Sequence, residues 1–403
     1  MQEKFIVPDE VYNRVSMVVF TLLLLVLTSP GFSVLGSFIG IFIPNARISL
    51  AMIVCFLPKD KFSLTVEYIR ILYVSLIMAS IVMLRFTVYP SDRIAETSDA
   101  GLIIFLVTLP IFINFFSKNK RYLFTSLLIV IYLQISLAIF QSVAMSLGMY
   151  DTALSFNNYH KLHGLIYLYP KVSGIFYRTA GLFIESSQYS VFLCFCYVYM
   201  SRVITIDNKL KRIANFTKII ILIAVLINSS ITGYLTIISI FIINLKQNLK
   251  MLAFLLPIFI MVLYLSGTNM SELSDTNDSL SQKLTANTTG YSKGSNDAES
   301  ERSGAFFNNI ETSLLNRPVL GYGDLKEEVN RWDFVSTYLY GYGVPGFIIM
   351  SVTIIFILKG APIEYSISLL LALTTNGNLQ GSIYLVILPI IILSKDNGRK
   401  HIL

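Results

Sequence analysis

Apolar residues run along this chain in long stretches separated by short polar loops. Most stretches exceed the length of a strand and show no polar face, so the pattern predicts membrane-spanning helices. The first covers about 15–28 and ends at the turn Ser29-Pro30-Gly31. A second reaches Leu57 and is interrupted by Pro44-Asn45-Ala46-Arg47. Further spans are expected at about 68–89, 101–116, 122–148 and 180–200, and a Tyr-rich loop fills 149–177.

Residues 219–245 admit two readings. One helix would put the long polar stretch that follows on the same side as the basic loops. Two shorter helices turning at Asn228-Ser229-Ser230 keep both flanks on the basic side, and this reading obeys the positive-inside rule. Its tip would lie below the opposite surface, where polar backbone must line a cavity or be buried in protein. Further spans are expected at about 251–266, 342–358, 361–375 and 381–394.

The predicted fold is an all-α polytopic membrane protein of about 12 segments, with both termini cytoplasmic and one long extracytoplasmic loop. Three regions follow: 1–266 with helices 1–9 and the outer loop 149–177, the large loop 267–340, and 341–403 with the last spans and tail. The first half of the large loop is rich in Ser, Thr, Asn, Asp and Gly and reads as a linker; the second half regains helical apolar spacing. Residues 1–14 include Glu3, Asp9 and Glu10 and lack the basic start of a signal peptide, so the first run is read as a retained span.

Composition agrees with this picture. Hydrophobic residues make up 54% and charged residues 14%, against about 25% charged in a soluble domain. The net charge of +7 does not indicate nucleic-acid binding, because the basic residues cluster in short loops between spans, most densely at Arg202, Lys209, Lys211, Arg212 and Lys218. Cys55, Cys194 and Cys196 all lie in apolar runs and form neither a disulfide framework nor a metal pattern.

The chemistry centres on Arg178-Thr179-Ala180-Gly181-Leu182-Phe183-Ile184-Glu185. As a helix, this stretch would place Arg178, Gly181 and Glu185 on one face, with the two charges roughly 10 Å apart along the axis. Gly181 would let a ligand approach the backbone. A carboxylate inside a span costs on the order of 3 kcal/mol and needs a cation, a hydroxyl or water beside it. The pair would serve either a polar substrate site or the mutual orientation of two helices.

Arg47 and Arg85 are two further arginines in membrane segments. An arginine fork suits a lipid-linked diphosphate; the alternative is snorkelling or anchoring of topology. Asp333 lies at the foot of a span among Trp332 and Tyr322, Tyr338, Tyr340 and Tyr342. Aromatic faces with a carboxylate suit carbohydrate, although an interfacial aromatic belt has the same composition. Most of the charges of the large loop, which include Arg302, Arg317 and Arg331, read as solvated surface. His160-Lys161-Leu162-His163 has no companion ligands for a metal site, and neither a phosphate-binding glycine loop nor a nucleophile elbow is present.

Arg178-x-x-Gly181-x-Phe183-x-Glu185 resembles the R-x-x-G-x-F-x-E-P signature of bacterial O-antigen and capsule polymerases and O-antigen ligases, the Wzy/WaaL superfamily, with Ser186 in place of the proline. Arg302 is similar to the arginine that opens the loop helix of that family. Pro318-Val319-Leu320-Gly321-Tyr322-Gly323 resembles its P-x-x-G-x-G turn, and Asp333 through Gly343-Val344-Pro345-Gly346 resembles the start of its next span. The likeness covers roughly 178–350, in matching order.

The resemblance implies a GT-C-like glycosyltransferase that joins undecaprenyl-diphosphate-linked oligosaccharide repeats into O-antigen or capsular polysaccharide at the outer face of the bacterial plasma membrane. It implies no metal or other cofactor, and as partners the lipid-linked oligosaccharide, membrane lipid and a chain-length regulator protein. Arg178, Glu185 and Asp333 would be catalytic; Arg302, Arg47, Arg85, Gly181, Tyr322 and Trp332 would bind substrate. Ligases of the superfamily carry a histidine in the large loop. The histidines here are 160, 163 and 401, which favours polymerase over ligase. The non-enzymatic alternative is a flippase for lipid-linked sugar.

Overall fold

The computed structural model of the chain describes residues 9–28, 66–89, 98–149, 152–153, 171–172, 176–177, 179–183, 186–206, 210–228, 230–243, 310–322, 334–375 and 383–395. Helices dominate these residues, since a helix pairs the backbone groups of an apolar run within the run itself. In chain order they are α1 (Asp9–Leu27), α2 (Val66–Val88), α3 (Ser98–Lys118), α4 (Lys120–Ser146), α5 (Ser186–Ile206), α6 (Lys211–Asn228), α7 (Ile231–Ile243), α8 (Gly341–Leu358), α9 (Ile363–Thr375) and α10 (Tyr384–Lys395). A five-residue π-helical turn, Ser336–Tyr340, leads directly into α8. The exception to helix is a two-residue antiparallel ladder that pairs Lys171 with Tyr177 and Val172 with Phe176.

Segments Ile69–Val88, Gly101–Lys118, Lys120–Ser146 and Ser336–Leu358 are each long and apolar enough to cross a membrane. Shorter apolar helices occupy Val15–Leu27, Thr232–Ile243, Ile363–Thr374 and Tyr384–Lys395. The chain is a helical membrane protein. Its lipid-facing character is plain on α2, where Tyr73, Leu76, Met83 and Leu84 are all exposed on a helix with no polar face to match.

The core lies around α5. From Tyr189 to Val198 every side chain of this helix is buried, as expected of a helix that is hydrophobic all round. It packs against α6, α7 and α9, while α1 packs on α4, α2 on α3 and α8 on α2. Cys194 and Cys196 are buried free thiols within it, the packing role expected from their apolar setting. At one end Arg202 donates to Glu364 at 2.6 Å, joining α5 to α9.

The turn expected at Asn228-Ser229-Ser230 is present: α6 ends at Asn228 and α7 starts at Ile231. Two sequence expectations are corrected. The span placed at 180–200 begins at Ser186 and runs to Ile206, and the stretch before it is a turn rather than the helix that would set Arg178, Gly181 and Glu185 on one face. The interrupted second apolar run that reaches Leu57, the span expected at about 251–266 and the linker half of the large loop lie outside the described residues.

Candidate functional site

Residues 179–183 form a tight turn ahead of α5. Gly181 has φ +58, a left-handed conformation that an L side chain adopts only with strain. The Phe183 N–H donates to the Ala180 carbonyl at 2.9 Å and closes the turn. All five residues are buried, so their backbone groups need partners. Helix α4 supplies several.

Gln134, Ala138 and Gln141 stand at i, i+4 and i+7 on α4 and share one face. The Gln134 amide oxygen accepts from the Leu182 N–H at 3.1 Å. Its amide nitrogen donates to the Thr28 carbonyl at the end of α1, at 2.9 Å. Gln141 donates to the Gly181 carbonyl at 3.0 Å, and the Thr179 hydroxyl donates to the Ala138 carbonyl at 3.0 Å. A Cβ built on Gly181 would stand 3.0 Å from Gln134 Oε1 and 3.3 Å from the Gln134 carbonyl. What this glycine admits is therefore a glutamine side chain. Both glutamines are fully buried. Sequence reasoning missed them, although two amides seven residues apart inside an apolar span were the available signal.

The tip of the α6–α7 hairpin meets the start of α5. The Asn228 amide donates to the Ser186 carbonyl at 2.8 Å and to Ser190 Oγ at 2.7 Å. A Cβ on Gly233 would fall 2.8 Å from that of Ser190, which lets α7 lie close against α5. Asn228, Ser230 and Ser190 are all buried, and Asn228 Oδ1 and Ser230 Oγ have no hydrogen-bond partner. Buried polar groups in that state each cost about 1–3 kcal/mol. Asn228 and Ser230 at the tip are thus buried in protein and abut the start of α5.

A second assembly joins the large loop to α8. Gly321 (φ +63) and Gly343 (φ +66) face each other so closely that a Cβ on either would fall 2.6 Å from backbone of the opposite segment. The Tyr322 N–H donates to the Tyr340 carbonyl at 2.8 Å, and the Val344 N–H to the Pro318 carbonyl at 2.7 Å. Ser313 Oγ donates to the Leu339 carbonyl at 2.9 Å. The π-helical turn and the non-helical Gly343 interrupt the ladder just before Pro345, where proline suits the first turn of a restarted helix.

Arg85 of α2 is 1% exposed, and its Nη1 donates to the Gly341 carbonyl at 3.1 Å. It lies in the last turn of α2 and, instead of snorkelling outward, reaches the interrupted start of α8. Tyr322 stacks on Tyr340 at 4.7 Å between ring centroids. The guanidinium of Arg317 lies 4.0 Å from the Tyr89 ring centroid and 4.6 Å from that of Tyr322. The solvated surface expected for Arg317 is therefore a half-buried slot between two aromatic rings.

Of the residues given catalytic or substrate-binding roles from the sequence, the structure describes Arg85, Gly181 and Tyr322. It brings Arg85 and Tyr322 to the same loop–span junction and places Gly181 with Gln134 and Gln141. Arg178, Glu185, Asp333, Arg302, Arg47 and Trp332 lie outside the described residues. No protein-family model, curated protein or solved structure matches this chain.

Proposed function

We propose that this protein is a membrane glycosyltransferase that polymerises undecaprenyl-diphosphate-linked oligosaccharide repeats into O-antigen or capsular polysaccharide. The single observation that carries the reading is the Arg178-x-x-Gly181-x-Phe183-x-Glu185 stretch, whose centre is a buried turn held by α4 and set directly before the core helix α5. A rigid mount of that kind is what positioning catalysis requires of residues flanking it.

In this reading about 12 spans place the turn toward the outer face of the plasma membrane, and both termini are cytoplasmic. Arg178 and Arg302, with Arg47, bind the diphosphate of the growing chain, where negative charge develops as the sugar–phosphate bond breaks. A hydroxyl of the incoming repeat attacks the anomeric carbon; Glu185 or Asp333 accepts its proton, and lipid diphosphate departs. Arg85, buried against Gly341, supports the span start rather than the diphosphate. Trp332 offers a sugar-stacking face, whereas the Tyr322 ring is packed against Tyr340 and Arg317; the diphosphate leaving group needs no metal.

The test is purified protein in vesicles loaded with lipid-linked repeats. A polymer ladder supports the proposal. Transfer of glycan to a different lipid acceptor would make it a ligase, and leaflet exchange with no new glycosidic bond would make it a flippase; either outcome overturns the proposal.

A further inference from the structure

Helix α6 carries a buried lysine that the glycosyltransferase reading does not use. Lys218 closes the most basic run of the chain. It is only 9% exposed, and its amine turns into the protein instead of snorkelling outward. Nζ lies 4.8 Å from the centroid of the Tyr197 ring of α5, and that tyrosine is 1% exposed. A ring face at this range favours the ammonium over the neutral amine, but it is no counter-charge. Among the described residues Lys218 has neither a carboxylate partner nor a hydrogen bond. Further along α5 and α9, Glu364 is already taken by Arg202 at 2.6 Å.

A second donor stands beside it. The Tyr197 hydroxyl is buried and has no hydrogen-bond partner. Its ring packs against Phe241 of α7 at 6.1 Å between centroids, so three helices meet here. A buried ammonium and a buried hydroxyl are each costly without an acceptor. One negatively charged, acceptor-rich group would serve both. A carboxylate presents its oxygens along one edge. A phosphate presents them on all sides, so an amine over the ring face and a hydroxyl in the ring plane can each meet one, with the lysine acting as a point charge. The approach is basic as well. Lys211 and Lys218 are seven residues apart on α6 and share a face. Lys211 and Arg212 are exposed and raise the local concentration of anions. Such a cluster suits a membrane headgroup as well as a soluble phosphate.

We infer that Lys218 and Tyr197 bind a phosphate group between α5 and α6, carried by an anionic phospholipid headgroup or by a soluble phosphate, and that the bound phosphate fastens α6 to α5.

The test is a thermal-shift titration of the full-length protein in a phosphate-free maltoside detergent. The probes are inorganic phosphate and, separately, dihexanoyl phosphatidylglycerol, each against sodium chloride of equal ionic strength. The wild type should show a saturable rise of the unfolding midpoint that chloride does not give. A rise with the lipid alone assigns the site to a headgroup, and a rise with inorganic phosphate assigns it to a soluble phosphate; either supports the site. Lys218→Met removes an unpaired buried charge, so its phosphate-free midpoint should equal or exceed that of the wild type while its phosphate response is lost. Tyr197→Phe keeps the ring and should match the wild-type midpoint, with apparent affinity about threefold to tenfold lower. A wild type that responds to neither probe would overturn the inference. So would a wild-type response in Lys218→Met, or undiminished affinity in Tyr197→Phe.

Discussion

The Gln134 side-chain oxygen accepts a hydrogen bond from the Leu182 backbone N–H at 3.1 Å, across 48 residues of sequence. The same amide reaches Thr28 at the end of α1. One glutamine thus ties α1, α4 and the turn before α5 together. Gln141 holds that turn by a single hydrogen bond, to the Gly181 carbonyl. The two glutamines should consequently differ in weight. Gln134→Leu leaves the Leu182 N–H and the Thr28 carbonyl without this partner, at about 1–3 kcal/mol each when buried. Gln141→Leu removes one bond and also removes its unpartnered Oε1, so its cost should fall well below that of Gln134→Leu. Unfolding midpoints in a mild detergent, compared at equal expression, check the order.

Gly181→Ala should be destabilising for two separate reasons. The left-handed φ strains any L side chain, and the new methyl would stand 3.0 Å from Gln134 Oε1. Together these cost about 1–3 kcal/mol. Pairing Gly181→Ala with Gln134→Ala should recover the steric part and leave the backbone part. A thermal-shift double-mutant cycle reads that coupling directly.

The contact between Gly321 and Gly343 predicts a non-additive pair. Alanine at either position meets backbone at 2.6 Å and should cost about 2–4 kcal/mol by forcing the loop turn away from α8. Once the two segments have parted, the second alanine meets nothing new. The double variant should cost clearly less than the two singles added together. Limited proteolysis should cut both single variants between 310 and 340 faster than the wild type.

Ser230 and Asn228 should separate cleanly. The Ser230 hydroxyl is 1% exposed and unpartnered, so Ser230→Ala removes a buried group that gains nothing from the fold. It should be neutral or raise the unfolding midpoint. Asn228→Ala withdraws the donor from the Ser186 carbonyl and from Ser190 Oγ. It should lower stability by about 1–3 kcal/mol and loosen the start of α5.

Much of the fold was legible because apolar length and loop charge are strong signals. The hairpin turn at Asn228-Ser229-Ser230 followed from where the lysines and arginines had to lie, and α6 and α7 end and start there. The helix break at the head of α8 was not read, although Gly341, Gly343 and Pro345 in one short run were the available signal. Partners of buried polar residues were not legible. Arg85 finds its acceptor 256 residues away at Gly341, and no local pattern encodes a distance of that kind. Residues 179–183 form a turn where helix was expected, because their apolar residues continue those of α5. Gly181 takes a left-handed conformation in the turn at 179–183, and glycine by itself allows either geometry.

The central claim rests on Arg178, and the most direct measurement is the product of a complemented polymerase-null strain that carries Arg178→Ala. The account predicts that single repeats accumulate on their lipid carrier and polymer is absent, with membrane-inserted protein at wild-type levels; Arg178→Lys, which lacks the planar fork, should do little better. Full-length polymer from Arg178→Ala would contradict it.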